Sequence, residues 1–315
     1  MFDLFLYHLN LCLPLFLLVI LGWVLIKCRL FEQNIVHALS SFTFRFLMPA
    51  MLFSLMSDLS KMPPVDWRVL IAFFGSCIFV YCLGRGLGRF FKLDNTGKTI
   101  FGMAAIFGNN VQLGVPIVQV SLGNEAMPTI SLLIIFSVLL LWTSAIASVE
   151  FGQSKNFKDW GKIFRSLLKV LKNPVVLGII TGSAWGLTGR ALPDFALRTL
   201  DCISLATTPI ALIVVGMGLA QHSFSAALPK GLAISSLKII VHPILVYIFA
   251  CFIGLDEMTT NACVLTAALP VAINVYLMAS EFRSEEGAAS NAIFVSTMLS
   301  AILIPLTLAI LGVRF

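Results

Sequence analysis

Apolar residues run through this chain in blocks of about 20, the length that spans the hydrocarbon core of a bilayer as a helix. Ten blocks can be read, at 6–26, 35–57, 69–90, 99–122, 129–150, 174–189, 198–220, 231–254, 259–280 and 289–312. The pattern predicts an all-α polytopic membrane protein with ten transmembrane helices. Composition agrees: 59% of residues are hydrophobic and 11% charged, with a mean hydropathy of +0.98. Soluble domains carry about twice that share of charge. Little of the chain remains for a soluble domain.

Two blocks are interrupted in the middle. Gly108-Asn109-Asn110-Val111-Gln112-Leu113-Gly114-Val115-Pro116 places amides, glycines and a proline where a continuous helix would need none of them. The second half carries Ala268-Leu269-Pro270-Val271-Ala272-Ile273-Asn274. A helix break at membrane depth is tolerated only where protein or a water-filled cavity meets the freed backbone. Paired breaks in two halves of a membrane protein point to a transporter's substrate site.

Charge sets an orientation. The first block has Lys27 and Arg29 after it and no basic residue before it, which argues for a retained helix and an external N-terminus. With ten crossings, 14 Lys and Arg then fall in cytoplasmic loops and 5 outside, while Arg45 and Lys238 lie within spans. That imbalance follows the positive-inside rule and predicts both termini outside. The net charge of +6 thus reflects orientation, and no nucleic-acid partner is called for. The seven cysteines show no metal-ligand spacing, and neither a metal nor a cofactor is expected.

The halves repeat. An offset of 160 relates Pro14 to Pro174, Gly22 to Gly182 and Pro49 to Pro209, and an offset of 154 relates Pro116 to Pro270. Five helices per copy is an odd number, so the second copy enters the membrane inverted. The expected organisation is a first repeat over 1–150, a cytoplasmic linker over 151–173 and a second repeat over 174–315. In the linker, apolar residues from Trp160 to Leu171 at helical spacing oppose lysines and Arg165, the pattern of an interfacial helix on anionic lipid. Gly178, Gly182 and Gly186 form a small-residue face for close helix packing.

Candidate chemistry gathers at the breaks. Asn109, Asn110, Gln112 and Asn274 supply amide donors and acceptors, and Pro116 and Pro270 are expected at the starts of second half-helices. Such helix starts carry partial positive charge and suit an anion. The bland alternative is that the amides satisfy one another across helices. Arg45, near mid-span, is costly there and is a candidate counter-ion, the alternative being a side chain that snorkels to the inner surface. Lys238 and His242 share a helix face and are a candidate proton relay; a buried neutral His bonded to a carbonyl is the alternative. All fifteen acidic residues lie in loops or near span ends.

The run from Asn109 to Pro116, N-x-x-x-x-G-x-P, resembles the fourth helix of the auxin efflux carrier family. Leu269-Pro270 with Ala279-Ser280-Glu281-Phe282 is similar to its ninth helix, and Lys238 to Pro243 to the eighth helix of bacterial members. The resemblance covers essentially the whole chain. It implies two inverted five-helix repeats with crossing broken helices 4 and 9, a scaffold of helices 1, 2, 6 and 7, and a moving transport domain. It also implies elevator-like alternating access, a homodimer, and a substrate-binding role for Asn109 beside crossover prolines Pro116 and Pro270. No long loop divides the halves, so the chain resembles bacterial-type permeases of malonate, malate and similar acids. Arg45 matches no family motif. The expected function is secondary transport of a small organic anion across a bacterial inner membrane, with protons as a candidate coupling ion. A membrane-embedded anion sensor is the alternative; an enzyme is disfavoured because no triad or metal constellation is present.

Overall fold

A computed structural model describes residues 2–57, 66–137, 140, 174–221 and 227–313. Among these the regular structure is helical, apart from one isolated β-bridge. The helices are α1 (Phe2–Lys27), α2 (Gln33–Phe42), α3 (Met48–Met56), α4 (Trp67–Phe90), α5 (Asn95–Ala104), α6 (Val115–Leu122), α7 (Pro174–Gly186), α8 (Asp194–Gln221), α9 (Leu228–Ser236), α10 (His242–Ile253), α11 (Glu257–Ala268), α12 (Ile273–Glu281) and α13 (Glu286–Ile310). Residues 127–137 form a further helical stretch.

Among the described residues, six stretches are long and apolar enough to cross a membrane: Phe2–Lys27, Ile35–Ser54, Trp67–Phe90, Asp194–Ala220, Leu228–Ile253 and Glu286–Ile310. Each coincides with a predicted block. The blocks at 99–122 and 259–280 are the interrupted ones, and each is two half-helices, α5 with α6 and α11 with α12. The linker at 151–173, with its expected interfacial helix, lies outside the described residues, as does most of the block at 129–150.

Three of the breaks in helical regularity share a cause. The π turns Thr43–Leu47, Asn110–Gly114 and Leu237–Val241 are each followed, one residue later, by a proline: Pro49, Pro116 and Pro243. Proline has no N–H to donate, and its ring collides with the carbonyl four residues back. Widening the preceding turn relieves that collision and keeps the axis running. Arg45, Gln112 and Lys238 all sit on these widened turns.

Close packing rests on glycine. A Cβ on Gly216 would overlap the Val19 carbonyl, and one on Gly22 would overlap that of Ile213, so α1 and α8 pack backbone to backbone. Gly178 and Gly182 do the same against Pro49 and Phe53 of α3, at a Cβ distance of 2.5 and 2.6 Å from the two carbonyl oxygens. Gly178 and Gly182 of the predicted small-residue face are therefore packing positions. Apolar side chains such as Ile78, Phe79 and Phe252 remain exposed on the outer surface, where lipid would cover them. The deepest burial is elsewhere: every residue of 99–110 and 260–272 is buried. The broken helices are the core.

Candidate functional site

A helix that stops at mid-depth leaves unpaired carbonyls at the end of its first half and unpaired N–H groups at the start of its second. Here the two broken helices satisfy each other. Asn109 N–H donates to the Pro270 carbonyl at 2.8 Å, and Ala272 N–H donates to the Phe107 carbonyl at 2.9 Å. Gly108 and Val271 stand opposite each other in an antiparallel bridge. The Val271 N–H, turned the other way, is taken by Ser296 Oγ of α13 at 3.0 Å. The crossing is thus a two-residue patch of sheet inside a helical protein.

The two prolines sit differently from each other. Pro116 lies in the first turn of α6, as expected, with the π turn Asn110–Gly114 ahead of it. Pro270 is in the extended link, three residues before α12 begins at Ile273. The starts of α5 and α11, Asn95 and Glu257, are 162 residues apart, and those of the π turn at Asn110 and of α12 at Ile273 are 163 apart. The 154-residue offset between the prolines differs from both. Proline is tolerated both at a helix start and in extended backbone, so its position alone does not fix register.

Of the amides, Asn109 and Asn110 are buried at the crossing, while Gln112 and Asn274 are half-buried on the turns that follow it. Asn110 Nδ2 reaches Ser137 Oγ at 3.5 Å, and its Oδ1 is buried without a hydrogen-bond partner. The bland alternative, in which the amides satisfy one another, has no hydrogen bond to support it among the described residues. Asn109 and Asn110 thus lie at the crossing itself, with Gln112 and Asn274 a few residues further along each strand of it.

Arg45 is not among them. It is exposed on the π turn between α2 and α3, which packs chiefly against α7 and α8. Its neighbour Phe46 stacks on Phe42 with ring centroids 5.5 Å apart, also on the exposed face.

Lys238 and His242 are both fully buried and do meet. Lys238 Nζ lies 3.5 Å from His242 Nδ1 and donates to the Ala267 carbonyl near the end of α11. On the far side of the ring, His242 Nε2 is 3.4 Å from Cys77 Sγ of α4. The ammonium can only donate, so Nδ1 accepts and the imidazole proton belongs on Nε2, facing the thiol. Gly108 makes room for this cluster: a Cβ there would stand 3.3 Å from Lys238 Nζ and 2.5 Å from Asn110 Oδ1.

Sequence reasoning missed Cys77, Ser137 and Ser296. Nothing local marks them; a Cys and two Ser in apolar helices read as packing residues, and only the fold carries them to the crossing.

Comparison with known proteins places the chain in a family. A family model described as a membrane transport protein matches residues 8–308. A Rhizobium meliloti (strain 1021) protein named "Putative malonate transporter" is 24% identical over 295 residues, covering 92% of each chain. The mouse (Mus musculus) "Lysosomal cholesterol signaling protein" is 24% identical over 315 residues, spanning 92% of this chain and 36% of that longer protein. The rice (Oryza sativa subsp. japonica) "Probable auxin efflux carrier component 5c" aligns over 151 residues at 24% identity, 46% of this chain and 41% of its own. Apolar spans, a crossing of broken helices and a match over nearly the full length converge: the chain is a multi-pass membrane protein of the membrane transport protein family to which the auxin efflux carriers belong.

Proposed function

We propose that the protein is a secondary carrier of a small organic anion such as a mono- or dicarboxylate, working by elevator-like alternating access. The observation that carries this is the crossing itself, where Asn109 and Asn110 are buried with Asn110 Oδ1 unsatisfied, beside two half-helix starts. A buried polar atom without a partner costs free energy unless a ligand takes it up. Asn110 Oδ1 and Nδ2 are interchangeable by a flip of the amide, which would hand Ser137 the oxygen and the ligand the two N–H donors. Asn109, Asn110, Gln112 and Asn274 bind carboxylate in this reading, with backbone N–H groups of the second halves completing the site. The malonate transporter relative supports the substrate class.

The same reading takes ten crossings in two inverted repeats, both termini outside, a bacterial inner membrane and a homodimer. Support comes from the six long spans, the two broken helices and the near-constant offset between them. The backbone-close pair of α1 and α8 fits a rigid scaffold. Arg45, exposed on its π turn, would face the aqueous path or a partner copy instead of the bound anion. Were protons the coupling ion, the Lys238–His242–Cys77 chain is where one would bind. That chain is closed at both ends by buried groups, a carbonyl and a thiol.

Uptake of radiolabelled malonate and malate into proteoliposomes, with membrane potential and pH gradient imposed separately, tests the proposal. Saturable flux that Asn109→Ala abolishes while the protein stays folded supports it; wild-type flux in that variant sinks the site assignment. The second reading is an anion sensor that moves nothing, favoured by the relative named as a signaling protein. Ligand-dependent thermal stabilisation without flux would select it.

A further inference from the structure

Four half-helix ends meet at the crossing, and they are not alike. The starts of the second halves carry about +0.5 charge each and the ends of α5 and α11 about −0.5 each. The positive pair suits the anion. In transporters with broken helices, the negative ends and unwound carbonyls commonly hold a coupling cation such as Na⁺. In this protein that place is filled from within. The Lys238 side chain is fully buried, its Nζ donates to the Ala267 carbonyl at the end of α11, and it lies against Gly108 in the link that follows α5. No carboxylate pairs with it among the described residues; its other neighbours are His242 Nδ1 and, through the ring, Cys77.

We propose that Lys238 is a tethered cation that stands in for a free coupling ion, holding the negative end of α11 beside the link that follows α5 so that the carrier needs no Na⁺. It is a positioning residue: it touches the crossing and not the transported anion. The widened π turn before Pro243 carries it, and His242 orients it by accepting one of its protons. The absent Cβ of Gly108 leaves room for it beside the link after α5, where Asn110 Oδ1 borders the same space. The consequence for transport rests on the carrier reading above; the consequence for stability does not.

The experiment has two arms. In the first, thermal unfolding of purified protein in detergent compares wild type, Lys238→Met and Lys238→Ala. Lys238→Ala deletes the equivalent of propylammonium, so that ion should raise its melting temperature while the neutral isostere propan-1-ol does not. Wild type and Lys238→Met should ignore both. Equal rescue by propan-1-ol would reduce Lys238 to a space-filler and overturn the proposal. In the second arm, wild-type malonate flux should be the same in Na⁺ and in N-methylglucamine, and Lys238→Met, similar in length and neutral, should lose at least about tenfold, the scale of a hydrogen bond to a charged group. Wild-type flux that requires Na⁺, or Lys238→Met at the wild-type rate, refutes the tethered cation. If wild type moves no malonate, the substrate assignment fails while the melting arm still judges Lys238. Should Lys238→Ala not fold, Lys238→Met carries the flux arm, and its melting temperature in plain buffer carries the other: a value equal to wild type refutes the tethered cation.

Discussion

Replacing Ser296 by alanine removes one oxygen from a fully buried site and leaves almost no cavity. What it does leave is the Val271 N–H, held at 3.0 Å by that oxygen, with nothing to bond. The remaining crossing bonds, from Asn109 and Ala272, use other groups. An orphaned buried donor costs about 1–3 kcal/mol. Since 1.4 kcal/mol is about a factor of ten, the folding equilibrium should fall about 5- to 150-fold. Titrated unfolding in mixed dodecylmaltoside and SDS micelles reads that loss. Hydrogen exchange localises it: the amide of Val271 should exchange faster, while that of Asn109, still bonded to Pro270, should hold. A stability loss under about 0.5 kcal/mol, the range of a neutral substitution, together with unchanged exchange at Val271, would mean that the serine does not support the crossing.

Three further outcomes follow from the packing and the caps. Gly216→Ala should lower stability by about 1–3 kcal/mol, because its Cβ has no space against the Val19 carbonyl and α1 must move away from α8; Gly218→Ala, open on all sides, is the neutral control in the same unfolding titration. Asp66 caps α4 through the Arg68 N–H at 2.9 Å, and its Ala variant should lose about 1 kcal/mol at neutral pH. The hydrogen-bonded Arg68 side chain holds the Asp66 carboxyl below the ordinary range, so its contribution is present above the unfolded value near 3.9 and disappears as pH falls through the lower folded value; a difference between variant and wild type that persists at pH 2 would contradict this. Pro243→Ala lets the turn at Leu237–Val241 close to an ordinary α turn, so stability should rise by no more than about 3 kcal/mol while anion flux drops as Lys238 changes phase; unchanged flux would show that the widened turn is incidental.

Six long spans were legible because their apolar runs are long enough to leave one interpretation, and the break at Gly108–Asn110 because amides and glycine are expensive there. Register was not. Pro116 and Pro270 invite pairing, yet proline fits both a helical turn and an extended link, and the structure uses one of each. Arg45 shows a second limit: its cost in a membrane span signals a special environment but not which one, and the fold puts it on an exposed π turn away from the amides. The signal for those turns was present, in the mid-span prolines Pro49 and Pro243, but Pro14, Pro209 and Pro305 sit within α-helices that carry no π turn. Sequence names the residue that strains a helix; packing decides how the strain is relieved.

The exchange of backbone bonds at the crossing has a consequence for biosynthesis. Asn109 and Phe107 find their partners in Pro270 and Ala272, more than 150 residues later in the chain. At a translation rate of about 5–20 residues per second, the first broken helix waits roughly ten to thirty seconds before the second emerges. Through that interval its free N–H and C=O groups cannot rest in lipid. The first half must therefore be sheltered at the insertion machinery, or enter the bilayer only once the second half arrives. Slowing translation between codons 110 and 270 should lengthen that exposure, and degradation of the nascent chain would report it.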